Sequence, residues 1–344
     1  MPGRKLRILY IGNKLAVHGR TPTGIDTLGP LLEKEGHTLF YASDRLKQSA
    51  RLHDMLYTVW QHRKTTDLVL IDTYSTIAFY YAWLVSRLCA MLRLRYIPIL
   101  HGGNLPQRFK NSPRKCRSLF GNSFTNVAVS RYLQQHLQDA GFRSAVIPNS
   151  IRIDEYHFRH LAQLRPRLLW VRSFHETYNP AMAIHVLNEL RRSYPDAQLT
   201  MVGPDVDGSM DTCKQLVIAL ELEKHVTFTG KLSKQEWTAF AQEQDIFINT
   251  ANYDNQPVSV LEAMALGLPI VSTNVGGIPH LITDERTGVL VNSGDVFVMT
   301  EAISELINNP ELASTISTNA RRNAEAFDWE TVKDKWQDLF NTVD

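Results

Sequence analysis

Apolar runs of five or six residues recur along the chain, alternating with longer segments whose apolar positions return every three or four residues. In the first half the runs are RILYIG (7–12), HTLFYA (37–42), DLVLID (67–72), YIPIL (96–100), NVAVS (126–130) and SAVIPN (144–149). Helical spacing fills 24–35, 46–63, 75–92 and 131–140 between them. Strands this uniformly apolar are covered on both faces, and crossover helices between them build a parallel sheet. From 151 to 166 the sequence IRIDEYHFRHLAQLRP follows neither period and reads as a linker. Alternation then restarts with RLLWVR (167–172), QLTMVG (198–203), VTFTG (226–230), DIFIN (245–249), PIVST (269–273) and GVLVN (288–292), with helices predicted over 179–193, 211–221 and 233–242. The tail from Thr300 is helical by composition, and Phe327, Trp329 and Trp336 mark where it packs. The pattern predicts an α/β chain of two Rossmann-like, doubly wound domains facing a central cleft. Their expected bounds are 1–155 and 167–328, with 156–166 as linker and 329–344 packing back on the first domain. Open α/β sheets bind ligands beyond the carboxyl ends of their strands.

Composition narrows the classes of function. With 37 basic and 35 acidic residues among 344, the net charge of +2 gives no global attraction to nucleic acid. The three cysteines, Cys89, Cys116 and Cys213, are widely separated and outside any metal-ligand spacing, so they are expected to be reduced thiols. The apolar run after MPGRK is too short for a signal peptide. The longest apolar region, Thr76 to Met91, is interrupted by Arg87 and is too short to cross a bilayer of roughly 30 Å. The expected location is therefore cytoplasmic. Arg87, Arg93 and Arg95 beside Trp83, Leu84 and Leu88 allow either a peripheral contact with the inner face of the membrane or an ordinary core-facing helix.

The segment from Asn249 to Ile282 carries the most chemistry. Asn252, Asp254, Asn255, Gln256 and Pro257 are turn formers that end the strand DIFIN, and a helix must start just after them. Gly267 suits its C-cap and Pro269 opens the next strand. A helix N-terminus, with unpaired amides, is thereby delivered to a strand's carboxyl end, where α/β sheets bind phosphate. Arg172 ends a buried strand, a costly place for a fixed charge unless it meets an anion or a salt-bridge partner.

These motifs resemble the retaining glycosyltransferases of family 4, which have the two-domain GT-B fold (glycosyl transferases group 1). Asp254 to Glu262 stands where the family has an E-x7-E motif, and EAMALGLPIVSTNVGGIP follows it closely. HGGNLP (101–106), VAVSRYL (127–133), IPNSI (147–151) and the arginine ending LLWVR also match. The resemblance implies transfer of a sugar from a nucleotide-diphosphate donor to a hydroxyl acceptor, either a glycan, a lipid-linked molecule or a small molecule. No metal and no cofactor beyond the donor is expected.

By the same resemblance Glu262 accepts hydrogen bonds from the donor ribose, although Ser259-Val-Leu-Glu262 also fits a capping box. Asp254 takes the place of the family's first glutamate, beside the reacting centre, and is one methylene shorter. Arg172 is assigned to the diphosphate, which a guanidinium grips with two donors. Asn255, Gln256, Val258 and Ser259 line the phosphate loop, where Pro257 has no N–H to give. The family's lysine six residues after the arginine is replaced by Tyr178, followed by Asn179. These offer only neutral donors, so Lys231 or Arg20 is expected to supply the missing charge. Gly203, which ends a neighbouring strand, is counted with the substrate-binding positions. His101, with Gly102, follows the strand YIPIL and is expected to contact the sugar or leaving phosphate, and Thr23 with Gly24 matches part of the family's glycine-rich loop. Asp205-Val-Asp207 has the spacing of a metal-binding pair but sits among turn formers and reads as a surface turn. Other readings on the same architecture are a sugar-nucleotide epimerase, a phosphorylase, or a binding protein that has lost its chemistry.

Overall fold

A computed structural model describes residues 4–343; residues 1–3, which open the N-terminal segment ahead of the first apolar run, and residue 344 lie outside the described residues. The chain divides into two units, residues 1–148 with 333–344, and residues 149–332. Each contains one six-stranded sheet whose strand pairs are all parallel.

In the first unit β1 (Arg7–Ile11), α1 (Gly24–Lys34), β2 (Thr38–Ala42), α2 (Gln48–His62), β3 (Leu68–Thr73), α3 (Ala78–Met91) and β4 (Tyr96–Leu100) alternate. They are followed by α4 (Leu105–Asn111), α5 (Pro113–Phe120), β5 (Asn126–Ala128), α6 (Arg131–Asp139) and β6 (Ser144–Val146). The strand order is β2-β1-β3-β4-β5-β6. Leu9, Ile11, Val69 and Ile71 enter one core with Val59, Phe79, Val85 and Phe120. The helices α4 and α5 fall where the apolar pattern predicts no element. Their sequence, LPQRFKNSPRKCRSLF, is so polar that only Leu105, Cys116, Leu119 and Phe120 reach the interior, and Pro113 opens the second helix from its first position.

The second unit runs β7 (Arg167–Val171), α7 (Pro180–Leu190), β8 (Gln198–Val202), α8 (Ser209–Ala219), β9 (Val226–Gly230), α9 (Lys234–Ala241) and β10 (Ile246–Asn249). After these come α10 (Val258–Leu266), β11 (Ile270–Thr273), β12 (Val289–Val291), α11 (Val296–Asn308) and α12 (Pro310–Glu325). The order is β12-β11-β10-β7-β8-β9. Leu168 and Trp170 face one core and Leu169 the other, as a doubly covered parallel strand requires. The segment 156–166, read as a linker, packs on this unit: Tyr156 and Leu164 are buried, and Arg165 pairs with the buried Asp245 at 2.8 Å. The last helix, α13 (Trp329–Asn341), starts in the second unit and ends in the first. There Phe340 packs edge-on against His37 and Lys333 lies 3.9 Å from Glu35.

Candidate nucleotide-diphosphate site

Strand order decides where the second unit can hold a ligand. From β7 the chain winds outward through β8 to β9, then returns to β10 beside β7 and winds the other way through β11 to β12. The loops leaving β7 and β10 therefore diverge at the switch point, where an open sheet has its natural crevice. Arg172 is the first residue after β7 and Asp254 lies in the loop after β10. Their side chains form an ion pair that is largely withdrawn from solvent. The Arg172 guanidinium also lies over the Tyr178 ring, 4.9 Å from its centroid. Burial raises the Tyr178 phenol above its ordinary range, with Arg172 pulling it down and Asp254 pushing it up, so it serves as a neutral donor beside these charges. The Nε of Arg172 is buried without a hydrogen-bond partner, which leaves part of the fork open.

Close backbone packing fixes both loops. Gly203, at φ +150°, leaves no room for a Cβ against the Arg172 carbonyl. Gly276, at φ +54°, and Gly277 press likewise on the carbonyls of Asp254 and Asn255, and the Gly277 amide donates to Asp254 O at 3.1 Å. The Asn255 amide donates to Asp254 Oδ1 at 2.9 Å. Replacing Gly276 by alanine is expected to cost about 2–4 kcal/mol, because the new methyl meets backbone and φ is unfavourable. Urea unfolding would measure it, and a loss within 0.5 kcal/mol of zero, the usual range for a surface substitution, would contradict this packing.

Pro257 is the N-cap of α10 and no side chain caps that helix; its carbonyl accepts from the Val260 and Leu261 amides at 3.2 and 3.3 Å, which leaves the Val258 and Ser259 amides without an acceptor within the helix. Ser259 is buried, and its Oγ has no partner. The capping box between Ser259 and Glu262 does not form, because Glu262 is the fifth helical residue. Its Oε1 instead accepts a 2.6 Å hydrogen bond from the Tyr156 hydroxyl, with Lys234 Nζ 3.9 Å away. Lys234 pairs with Glu155 at 2.7 Å and stands over the Tyr156 ring at 4.7 Å. Burial pushes the Glu262 carboxyl up to about 7, against the opposing pull of the Tyr156 hydroxyl, Lys234 and Arg172. Gln256 is engaged elsewhere, since its side-chain oxygen accepts from the Asn149 amide at 2.6 Å and its carbonyl from Asn149 Nδ2 at 3.1 Å. The Tyr178–Asn179 turn, with Asn179 at φ 45°, is held by Thr250 Oγ1, 2.9 Å from both carbonyls.

The first unit has its own polar centre at the carboxyl ends of β1, β3 and β4. Asp72, buried at the end of β3, accepts from the Tyr10 hydroxyl at 2.9 Å and the Ile25 amide at 3.0 Å. His101 Nε2 lies 2.8 Å from Oδ1, the same oxygen that accepts from Tyr10, and Tyr74 stacks on the imidazole. An accepting carboxylate there assigns a proton to Nε2. Gly24 opens α1 directly beneath, since a Cβ at that position would come within 2.7 Å of His101 Nε2. Thr23 is the N-cap of α1 in a capping box with Asp26, and Gly102 permits close approach to the Ser75 amide. Asp72, Tyr156 and Lys234 are the partners that motif reading does not supply.

Residues 153–323 match a family model described as glycosyl transferases group 1. This segment belongs to the group 1 glycosyl transferases. Over 158 residues the chain is 31% identical to the GDP-mannose-dependent α-(1-6)-phosphatidylinositol monomannoside mannosyltransferase of Mycolicibacterium smegmatis, covering 44% of this chain and 41% of that one. Over 156 residues it is 29% identical to the sulfoquinovosyl transferase SQD2 of Arabidopsis thaliana, covering 44% and 29%. The matches thus span less than half the length of these relatives. Among solved structures it resembles sucrose-phosphate synthase from Thermosynechococcus elongatus, with TM-score 0.81 and 18% identity over 98% of this chain and 99% of that one. Anabaena Alr3699/HepE in complex with UDP-glucose gives TM-score 0.76 and 19% identity over 98% and 100%. At such identities the likeness establishes the fold, which is GT-B.

Within the group 1 segment, Lys231 is exposed just after β9, and Arg20 is exposed in the first unit. Lys234, one helical turn further on, is the lysine that reaches Glu262. Asp205 and Asp207 are occupied as loop caps: Asp205 Oδ1 accepts from the Gly208 amide at 3.0 Å, and Asp207 Oδ2 from the Glu176 amide at 2.9 Å. No helix among the described residues is long and apolar enough to cross a membrane.

Proposed function

We propose that the chain is a retaining glycosyltransferase that moves a sugar from a nucleotide-diphosphate donor to a hydroxyl acceptor on a glycan, a lipid-linked molecule or a small molecule. The observation that carries this reading is the open anion seat of the second unit. Arg172 has an unpartnered Nε, Ser259 an unpartnered Oγ, and the intervening loop ends in an uncapped helix N-terminus. Buried donors left without acceptors are costly, and a diphosphate satisfies them together. Glu262 offers its carboxylate to the ribose diol once Tyr156 yields. Asp254 is within reach of the donor sugar through the same loop that holds Arg172.

In transfer, the bond between the anomeric carbon and the diphosphate oxygen breaks with its electron pair going to the diphosphate. The acceptor oxygen bonds to the same face of the carbon, and its proton passes to the leaving phosphate or to solvent. Arg172 and the α10 amides stabilise the charge that develops, without a divalent metal. In the first unit His101, oriented by Asp72, orients the acceptor. Relatives whose names specify mannosyl or sulfoquinovosyl transfer support the reaction class.

Thermal unfolding in the presence of UDP, GDP, ADP and their common sugar conjugates tests the donor site. At least one is expected to raise Tm, by an amount corresponding to about 2.7 kcal/mol at a hundred times its Kd, with or without EDTA. If none shifts Tm, the donor site does not exist. Asp254→Asn should separate the two halves of the proposal. It frees Arg172 and leaves nucleoside diphosphate affinity equal or higher, while turnover with acceptor falls by about a hundredfold or more. Equal losses in both would remove Asp254 from the reacting centre.

A further inference from the structure

Residues 73–138 contain no aspartate or glutamate and nine lysines and arginines, whereas the other 28 basic residues share the rest of the chain with all 35 acidic ones. This cationic stretch supplies α3, α4 and α5, and α3 packs between α2 and α5. Across the four helices the one acid is Asp54, half-buried on α2.

The solvent side of this layer is apolar as well as basic. Tyr57 and Trp60 on α2 are each 51% exposed, Ile77 at the entry to α3 54%, and Met91 at its end 78%. Along α3, Ile77, Tyr80, Leu84, Arg87 and Met91 recur at spacings of three and four and share one stripe. Cations stand over the rings. Arg63 Cζ is 4.1 Å from the Trp60 centroid, Lys115 Nζ 5.5 Å from Trp83, Arg87 Cζ 5.4 Å from Trp83 and Arg108 Cζ 5.4 Å from Tyr80. Arg93, Arg95, Lys110, Arg114 and Arg117 are exposed.

We infer that the outer face of α2, α3, α4 and α5 docks on an anionic lipid bilayer. Long cationic side chains keep their heads at phosphate level while tyrosine and tryptophan rings sit at the headgroup boundary, which is the arrangement of an interfacial surface. Exposed aliphatic residues decide between bilayer and soluble polyanion. Ile77 and Met91 gain nothing from a solvated polyanion, whereas insertion at the acyl boundary removes them from water. The net charge of the whole chain, near zero, conceals this face. The inference rests on no step of sugar transfer.

Sedimentation of the full chain with vesicles tests it. Vesicles of phosphatidylcholine with about a third phosphatidylglycerol should bind at 50 mM salt, pure phosphatidylcholine should bind at least tenfold more weakly, and 0.5 M salt should release the protein. Arg87→Gln with Lys115→Gln should weaken binding about twenty-five-fold, near fivefold for each cation, with Tm unchanged because both positions lie on the solvent side. Trp60 emission should shift to the blue on binding. Equal binding to both vesicle types, no binding at 50 mM salt, or an unaltered double variant would overturn the assignment. Retention by heparin without vesicle binding would overturn it too, in favour of a soluble polyanion.

Discussion

Arg172→Ala is expected to weaken nucleoside diphosphate binding about a hundredfold or more. The side chain is largely withdrawn from solvent, its buried Nε has no partner, and one terminal nitrogen is held by Asp254. Truncating one member of a buried charged contact typically costs 2–5 kcal/mol, and about 3 kcal/mol corresponds to a factor of roughly a hundred. Arg172→Lys should recover only a small part of this, because an ammonium carries the charge without the planar fork. Stability changes too, and in an informative way. With Arg172 gone, Asp254 becomes a carboxylate without its cation, so the ligand-free protein should lose about 3 kcal/mol. Arg172→Ala with Asp254→Ala removes both charges and should regain most of that stability while leaving the affinity low. Calorimetric titration and urea unfolding of the two variants distinguish a ligand-binding arginine from a structural one. If the single variant binds within threefold of the parent, Arg172 does not hold the diphosphate.

The two sheets were legible from apolar runs because parallel strands covered on both faces are nearly uniform in hydrophobicity, as RLLWVR and YIPIL are. Helices α4 and α5 were not, since a polar segment with four buried residues has no clear period. Arg172 could be picked out by its cost alone: a fixed charge at the end of a buried strand needs an anion. The same reasoning applied to DLVLID would have singled out Asp72, which proves to be the hub that His101, Tyr10 and the start of α1 share. Tyr156 and Lys234 carry no such local signal. Tyr156 reaches Glu262 across 106 positions of sequence and Lys234 across 28, and only the winding of α9 and α10 beside the segment after Asn149 brings them together. Gln256 has a contact that its place in a motif does not reveal. It stands in the loop after β10, and its side-chain oxygen and carbonyl accept from Asn149.

Glu262 makes donor affinity depend on pH. Its carboxyl is pushed from an ordinary 4.5 up to about 7, chiefly by burial. The folded chain therefore holds a proton there that the unfolded chain releases, and the sign follows from linkage. The contribution to stability is complete below about pH 4.5 and is lost as pH rises through 7, a change on the order of 3 kcal/mol for a shift of this size. Glu262→Gln keeps a polar group of the same shape for Tyr156 and removes that slope, so the variant should be the more stable form at pH 8. Ligand binding should run the other way. A ribose diol donates to a carboxylate, so the ionised form is the one that binds. A nucleotide sugar has no phosphate group that titrates near neutrality, which leaves Glu262 as the source of any pH dependence in this part of the site. Between pH 6 and pH 8 the ionised fraction of a group titrating near 7 rises about tenfold, and affinity for the sugar nucleotide should rise with it. In Glu262→Gln the affinity should be lower and flat over the same range. Titrations of both proteins at pH 6, 7 and 8 measure this directly; a flat parent profile would mean that Glu262 does not meet the ribose, and a sloping variant profile would place the titrating group elsewhere.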